Sequence, residues 1–436
     1  MPLEVLLVNV NSMLNAGDAA LTFETIRQLR DNFPGCHITL SSNTLELGLN
    51  DVKIVESINA WVRSPYKTGR ISWNIGHLLQ LPISTLFPIL TYRLFGKPLY
   101  LFTPSRIRAA IQSHLDANLV INVPGGYIYT SKRGLRLVML IYLLALVWLA
   151  GKPLYILPQS FGPLSHKWEG KMLTWVLQKA RIVMVREPVS MELLQKYHFQ
   201  HPRLYLFPDI AFAFRGVSPH VAKQWLREKG LDFTDDPPLI GLTIIDWRAN
   251  NPNFLRQEEY ELAFTSVIRY FLDKMNGRAI IFPQSIGPNI SSDDRIPARR
   301  VVARLADKRG SILQIEQQIP PDLIKSLYGC MDILIGTRMH SNIFALSSGV
   351  PVIAVGYLHK TRGIFSMIGM DRWVIDIQNI TQQSLLEKFV ELWEERMIVR
   401  AKIEATIPSL VEKASSAGAL CAADFTCLME NKLHGR

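Results

Sequence analysis

Continuous apolar, β-branched runs alternate with helical patterns along most of this chain, and they do so in two separate series. The first holds EVLLVNV (residues 4–10), LVINV (119–123), PLYILP (153–158) and RIVMV (181–185). A run that is apolar at every position, rather than at alternate ones, belongs to a strand covered on both faces, and helices supply that cover in a parallel sheet. After the proline-containing stretch 208–220 the pattern restarts with LIGLTII (239–245), RAIIFP (278–283), SILQI (311–315), MDILIG (331–336), PVIAVG (351–356) and WVIDI (373–377). At 436 residues the chain is long enough for two cores. The expected fold is therefore α/β, with two Rossmann-like doubly wound domains over residues 1–212 and 213–436. Their carboxyl edges are expected to face a cleft, the place where open α/β sheets bind ligands.

Four local features qualify this reading. YILPQSFGPL (155–164) and IIFPQSIGPN (280–289) share a strand, Pro-Gln-Ser and Gly-Pro. Each is expected to place a glutamine, Gln159 or Gln284, where a strand leaves its sheet at the binding edge. Asp18 reads as the N-cap of a helix running towards Phe33. Residues 61–105 fit the alternation poorly: Leu78 to Tyr92 is mainly apolar but contains two prolines. At 15 residues it is too short and broken to span a bilayer, which leaves a core insertion or an interfacial element. Leu137 to Ala150 is similarly apolar but sits where a crossover helix belongs.

Charge is concentrated. The chain carries 48 Lys plus Arg against 37 Asp plus Glu, a net +11, and residues 57–168 alone hold twelve Lys or Arg and one acid, Asp116. The rest balances at 36 against 36. Because the basic segment is interleaved with long aliphatic runs, nucleic acid is not the expected partner. Four cysteines without metal-type spacing fit a reducing cytoplasm and make a metal site improbable. The start MPLEVLLVNVN has no basic segment ahead of its short apolar run, which argues against a signal peptide.

The segment richest in chemistry is 331–356. A buried strand ends at Gly336-Thr337, Arg338 and His340 follow two apart, and a helix is expected to begin near Ser341. An extended chain there would point a guanidinium and an imidazole the same way at a helix N-terminus, a setting that favours an anion beside a proton-transfer group.

GTRMHSNIFALSSGVPVIAVGYLHKTRG (336–363) resembles the C-terminal signature of the polysaccharide pyruvyl transferase family. Four further segments agree: NAGDAALTFETIRQLR (15–30), VINVPGGYIYT (120–130), YILPQSFGPL, and VMVREPVSMELL (183–194). The resemblance implies a GT-B-like pair of domains, phosphoenolpyruvate as donor and no other cofactor, and a saccharide acceptor, free or lipid-linked, on which a pyruvate ketal forms. It further implies that Arg338 and His340 are catalytic and that Arg186 and Lys360 bind the donor. Asn15, Gly17, Asp18, Gly125, Gly126, Gln159 and Gln284 would shape the substrate site. The glycine-rich turn reads Pro-Gly-Gly where three glycines are common in the family.

The residue types suit that chemistry. Phosphoenolpyruvate carries about three negative charges, for which arginine forks are natural clamps. Two readings compete with it: a GT-B glycosyltransferase using a nucleotide sugar, and a non-catalytic protein that binds anions or associates with membranes. Basic residues beside Leu78–Tyr92, among them Arg63, Lys67 and Arg70, would suit an anionic membrane surface or a diphosphate-lipid acceptor. The expected location is the cytoplasm, with peripheral contact on the inner face of the membrane.

Overall fold

The computed structural model describes residues 2–45, 49, 51–63, 73–130, 134–231, 237–250, 254–356 and 358–434, without the side chains at 249–250 and 358–360. Two compact units are present. Unit 1 comprises residues 1–13, 21–210 and 413–436; unit 2 comprises 14–20 and 211–412.

Unit 1 is built on strands β1 (Glu4–Val10), β2 (His37–Ser42), β3 (Lys53–Glu56), β4 (Leu119–Asn122), β5 (Gly125–Ile128), β6 (Leu154–Phe161), β7 (Ile182–Val185) and β8 (Leu204–Leu206). They form a parallel sheet in the order β3-β2-β1-β4-β6-β7-β8, with β5 paired to β6. Its helices are α1 (Ala16–Asn32, whose first turn belongs to unit 2), α2 (Ile58–Val62), α3 (Ile75–Phe95), α4 (Ser105–Asp116), α5 (Leu135–Leu149), α6 (Lys167–Leu177) and α7 (Pro188–Lys196).

Unit 2 holds β9 (Leu239–Thr243), β10 (Arg278–Ile281), β11 (Ile312–Gln314), β12 (Ile333–Gly336), β13 (Val352–Gly356) and β14 (Val374–Asp376), parallel and ordered β11-β10-β9-β12-β13-β14. Counted within the unit, this is the 3-2-1-4-5-6 order of a Rossmann sheet, with its switch point between β9 and β12. Its helices are α8 (Pro219–Glu228), α9 (Trp247–Asn250), α10 (Gln257–Met275), α11 (Arg295–Ala303), α12 (Pro321–Tyr328), α13 (Met339–Leu346), α14 (Leu358–Met367) and α15 (Gln382–Ser415). Helix α16 (Ala417–Leu433) returns to unit 1.

The apolar composition of α5 follows from its position. Leu137, Leu140, Ile141, Leu144 and Val147 face the sheet core, while Met139, Leu143, Leu146 and Ala150 belong to a second cluster shared with α2, α3 and α4. A helix buried on both sides must be apolar all round. Burying each such side chain contributes roughly 1.5–3 kcal/mol.

Two expectations change. The domains are discontinuous, so a single boundary at 212/213 does not describe them. Residues 14–20 join unit 2 because Leu14 O and Ala16 N bond to Ile286 N and Gln284 O at 2.9 Å each. The C-terminal segment joins unit 1 because Gln28 bonds to Ala414 O and Gly418 N, and Tyr155 to Asp424. The described residues of the poorly fitting stretch 61–105 are mainly helical and pack with α4 as an extra layer, and the apolar helix runs 21 residues, not 15. Prolines 82 and 88 sit inside it. Pro88 cannot donate to Ser84 O, and the Thr103 hydroxyl takes that carbonyl instead, at 2.8 Å. Lys67 and Arg70 lie outside the described residues.

Candidate functional site

The carboxyl ends of β9 and β12 are tied by Thr337 N donating to Thr243 Oγ1 (2.9 Å), and Thr243 Oγ1 also meets Ser341 Oγ (2.9 Å). The Tyr260 hydroxyl reaches Thr337 Oγ1 at 2.7 Å. Chain direction changes here. Arg338 is extended (φ −86°, ψ 131°) and forms the N-cap of α13, so the helix starts at Met339 and His340 lies within its first turn. The expected extended pair is therefore half right: Arg338 is extended and His340 is helical.

Arg338 is anchored. Its Nε and Nη2 donate to Asp294, with Nη2 to Oδ1 at 2.7 Å, and among the described residues Nη1 has no partner. Asp294 is 1% exposed and also accepts from Ser285 N at 2.9 Å. Burial pushes its carboxyl above the usual range against the pull of Arg338. Burial would lower the guanidinium, but Asp294, with Asp18 adding to it, holds Arg338 charged and above its ordinary value. The arginine side chain keeps 20% of its surface open.

The N-terminal motif meets this pair within the same unit. Asn15 bridges Ser285, and its Oδ1 accepts from Gly17 N (2.9 Å) and Asp18 N (3.3 Å). Asn15 is thus the cap of α1, in place of Asp18, and the Asp18 carboxylate adds to the field that keeps Arg338 charged. Gly17 lies against the imidazole: a Cβ there would come within 2.1 Å of His340 Nδ1. Gln284 is 1% exposed; its Oε1 accepts from Tyr328 (2.6 Å), and among the described residues nothing accepts from its Nε2. Asn342, also 1% exposed, packs over Gly336, with neither amide atom partnered among the described residues. Asn15, Gly17, Asp18, Gln284, Asp294, Arg338 and His340 therefore form one constellation at the switch point of unit 2.

Of the other expected residues, Arg186, Gln159, Gly125 and Gly126 belong to unit 1. Arg186, read as a donor clamp, is 1% exposed in unit 1. Its guanidinium is consumed by Asp209 (2.8 Å), Glu187 (3.3 Å) and Ser160. Burial opposes its charge, but the two carboxylates outweigh that and raise it. This arginine joins β6, β7 and the 209 turn. Gln159 lies inside β6, fully buried and paired with Gly125, not at a strand exit. Gly125 is required because the Tyr127 ring occupies the place of its Cβ; Gly126 lies beside it in β5. Lys360 falls in α14, where its side chain is not among those described. Sequence reasoning missed Asp294 and Asn342. An acid before a helix and an asparagine in an apolar helix carry no spacing signal of their own.

The meeting of Asn15-Ala-Gly-Asp with Thr337-Arg-Met-His joins two motifs more than 300 residues apart, and comparison with known proteins agrees. The family model described as polysaccharide pyruvyl transferase matches residues 15–359. This chain belongs to that family. The amylovoran biosynthesis protein AmsJ of Erwinia amylovora is 25% identical over 245 residues, 55% of this chain and 58% of AmsJ. The chain thus spans under two thirds of the length of this relative.

Solved structures show the same fold at low identity. An enzyme described as a UDP-N-acetylglucosamine 2-epimerase from Listeria monocytogenes matches with a TM-score of 0.58 at 9% identity, covering 99% of this chain and 98% of that one. The trehalose 6-phosphate synthase of Burkholderia multivorans gives 0.53 at 10%, covering 99% and 100%. These similarities establish the two-domain, GT-B-like α/β fold of this pyruvyl transferase family member.

Proposed function

We propose that the chain transfers the pyruvyl group of phosphoenolpyruvate to two hydroxyls of a sugar in a cell-surface polysaccharide or its precursor, releasing phosphate and leaving a ketal. The observation that supports this reading best is Arg338, fixed by Asp294 with one guanidinium edge to spare, beside His340 on Gly17. An oriented guanidinium at a helix N-terminus suits a carboxylate or phosphate oxygen. Imidazoles donate and accept protons near neutral pH.

In this reading Arg338 holds the anionic donor and His340 protonates its methylene carbon. One sugar hydroxyl attacks the cationic carbon and loses its proton. The second hydroxyl then displaces phosphate, and its proton leaves as well. Asp294 and Asn15 position these groups; Gln284 and Asn342 offer amide hydrogen bonds nearby.

Incubating the protein with phosphoenolpyruvate and a panel of lipid-linked and nucleotide-linked sugars should release phosphate and give a product heavier by the pyruvyl ketal. His340→Ala should slow phosphate release by about a hundredfold or more. A rate within about threefold of the parent removes His340 from the chemistry. Turnover with a nucleotide sugar as donor, and none with phosphoenolpyruvate, would reject the whole reading.

A further inference from the structure

We propose that α3 and the loop after it form an in-plane docking surface for an anionic lipid bilayer. The helix is two-faced in an unusual sense. Its inner face, with Leu81, Thr85 and Ile89, packs into the cluster of α2, α4 and α5. Its outer face is apolar too. Ile75 is 72% exposed, Leu79 78%, Ile83 47%, Leu90 54% and Leu94 74%, a stripe at helical spacing, and Leu101 in the following loop is 74% exposed. Soluble proteins rarely leave so continuous an apolar face to water. By length and composition α3 could cross a membrane, but its inner face is part of the core of unit 1. The arrangement therefore fits a helix lying in the interface with its outer face immersed.

Charge and aromatic residues at the carboxyl end of α3 favour a bilayer over an uncharged partner. Arg93 and Lys97 are exposed there. The Arg93 guanidinium occupies the space over Gly151, and Lys152 Nζ sits 5.7 Å from the Tyr92 ring. Three residues before Gly151, Trp148 is 42% exposed and meets Trp175, 47% exposed, edge to face at 6.1 Å. Lys179 Nζ lies 4.9 Å from the Trp148 ring. Aliphatic stripe, interfacial tryptophans and flanking cations are the composition of membrane-surface elements. Residues 57–168, which include α3 and the loop after it, carry the chain's entire net positive charge.

The test uses the full chain in flotation with vesicles of phosphatidylcholine alone and of phosphatidylcholine with one quarter phosphatidylglycerol, at 0.1 M and 0.5 M salt, with light-scattering mass measured in parallel. Flotation is expected with anionic vesicles, weakened at high salt and on neutral vesicles. Leu79→Ser/Leu90→Ser/Leu94→Ser should lower binding more than tenfold, and Lys97→Ala about fivefold at low salt. Both variants change exposed side chains, so their melting temperatures should stay within a few degrees of the parent. Failure to float on anionic vesicles overturns the proposal. So does binding that neither variant weakens, or a stable dimer that the leucine variant dissociates without any vesicle binding.

Discussion

Gly17 and Arg186 show how differently two motif residues can serve one protein. At Gly17 the constraint is space: a methyl group would overlap His340 Nδ1, so Gly17→Ala must turn the imidazole away. Misplacing a reacting group by about 1 Å costs on the order of a hundredfold. We expect Gly17→Ala to lower kcat/KM by about that factor while thermal unfolding, followed by circular dichroism, shifts little. A parent-like rate would separate the imidazole's position from turnover. At Arg186 the constraint is charge. Two carboxylates and a hydroxyl surround it at 1% exposure, and deleting one partner of such a buried cluster typically costs ~3–5 kcal/mol. Arg186→Ala should therefore lower the urea midpoint sharply, while the folded fraction keeps a KM for phosphoenolpyruvate within about threefold of the parent. A KM raised tenfold at unchanged stability would return this arginine to the donor site.

Elements divide by whether their sequence signal is local. Strands buried on both faces announce themselves, as in β4, apolar or buried throughout, and so does the helix beginning after Asn15. The TRMH segment was legible as a strand end turning into a helix because apolar run, glycine, charge and helix start follow within a few residues. What the sequence hid depends on partners far along the chain. The apolar helix α5 looked like an ordinary crossover, and nothing local says that its second face is covered by α2, α3 and α4. The prolines of α3 looked like helix breaks, whereas Thr103, fifteen residues past Pro88, supplies a donor for the freed Ser84 carbonyl. The two Pro-Gln-Ser loops read alike, yet one glutamine ends up inside β6 and the other beside Tyr328 after β10. Asp294 gained its meaning only from Arg338, 44 residues away.

At the scale of the whole molecule, the chain closes on itself: its last helix completes the unit its first strand began. Asp424 of α16, with a 4% exposed side chain, accepts from Tyr155 of β6 (2.8 Å) and from Arg181 just before β7 (2.9 Å and 3.0 Å), and pairs with Arg203 just before β8. One carboxylate thus gathers three neighbouring strands near their amino ends, away from the carboxyl edges where ligands bind in such sheets. Removing it leaves two arginines and a phenol uncompensated. Because Arg181 keeps about a third of its surface in solvent, the loss for Asp424→Ala should be about 2–3 kcal/mol, below that of a fully buried pair. The effect should also be confined to one unit despite the residue's place after unit 2 in sequence. Hydrogen exchange of peptides covering β6 and β7 should quicken, while peptides covering β9 and β12 should keep the parent's protection. Equal acceleration in both sheets would mean that the two units unfold as one, and unchanged exchange in β6 would mean that α16 adds nothing to the sheet it covers.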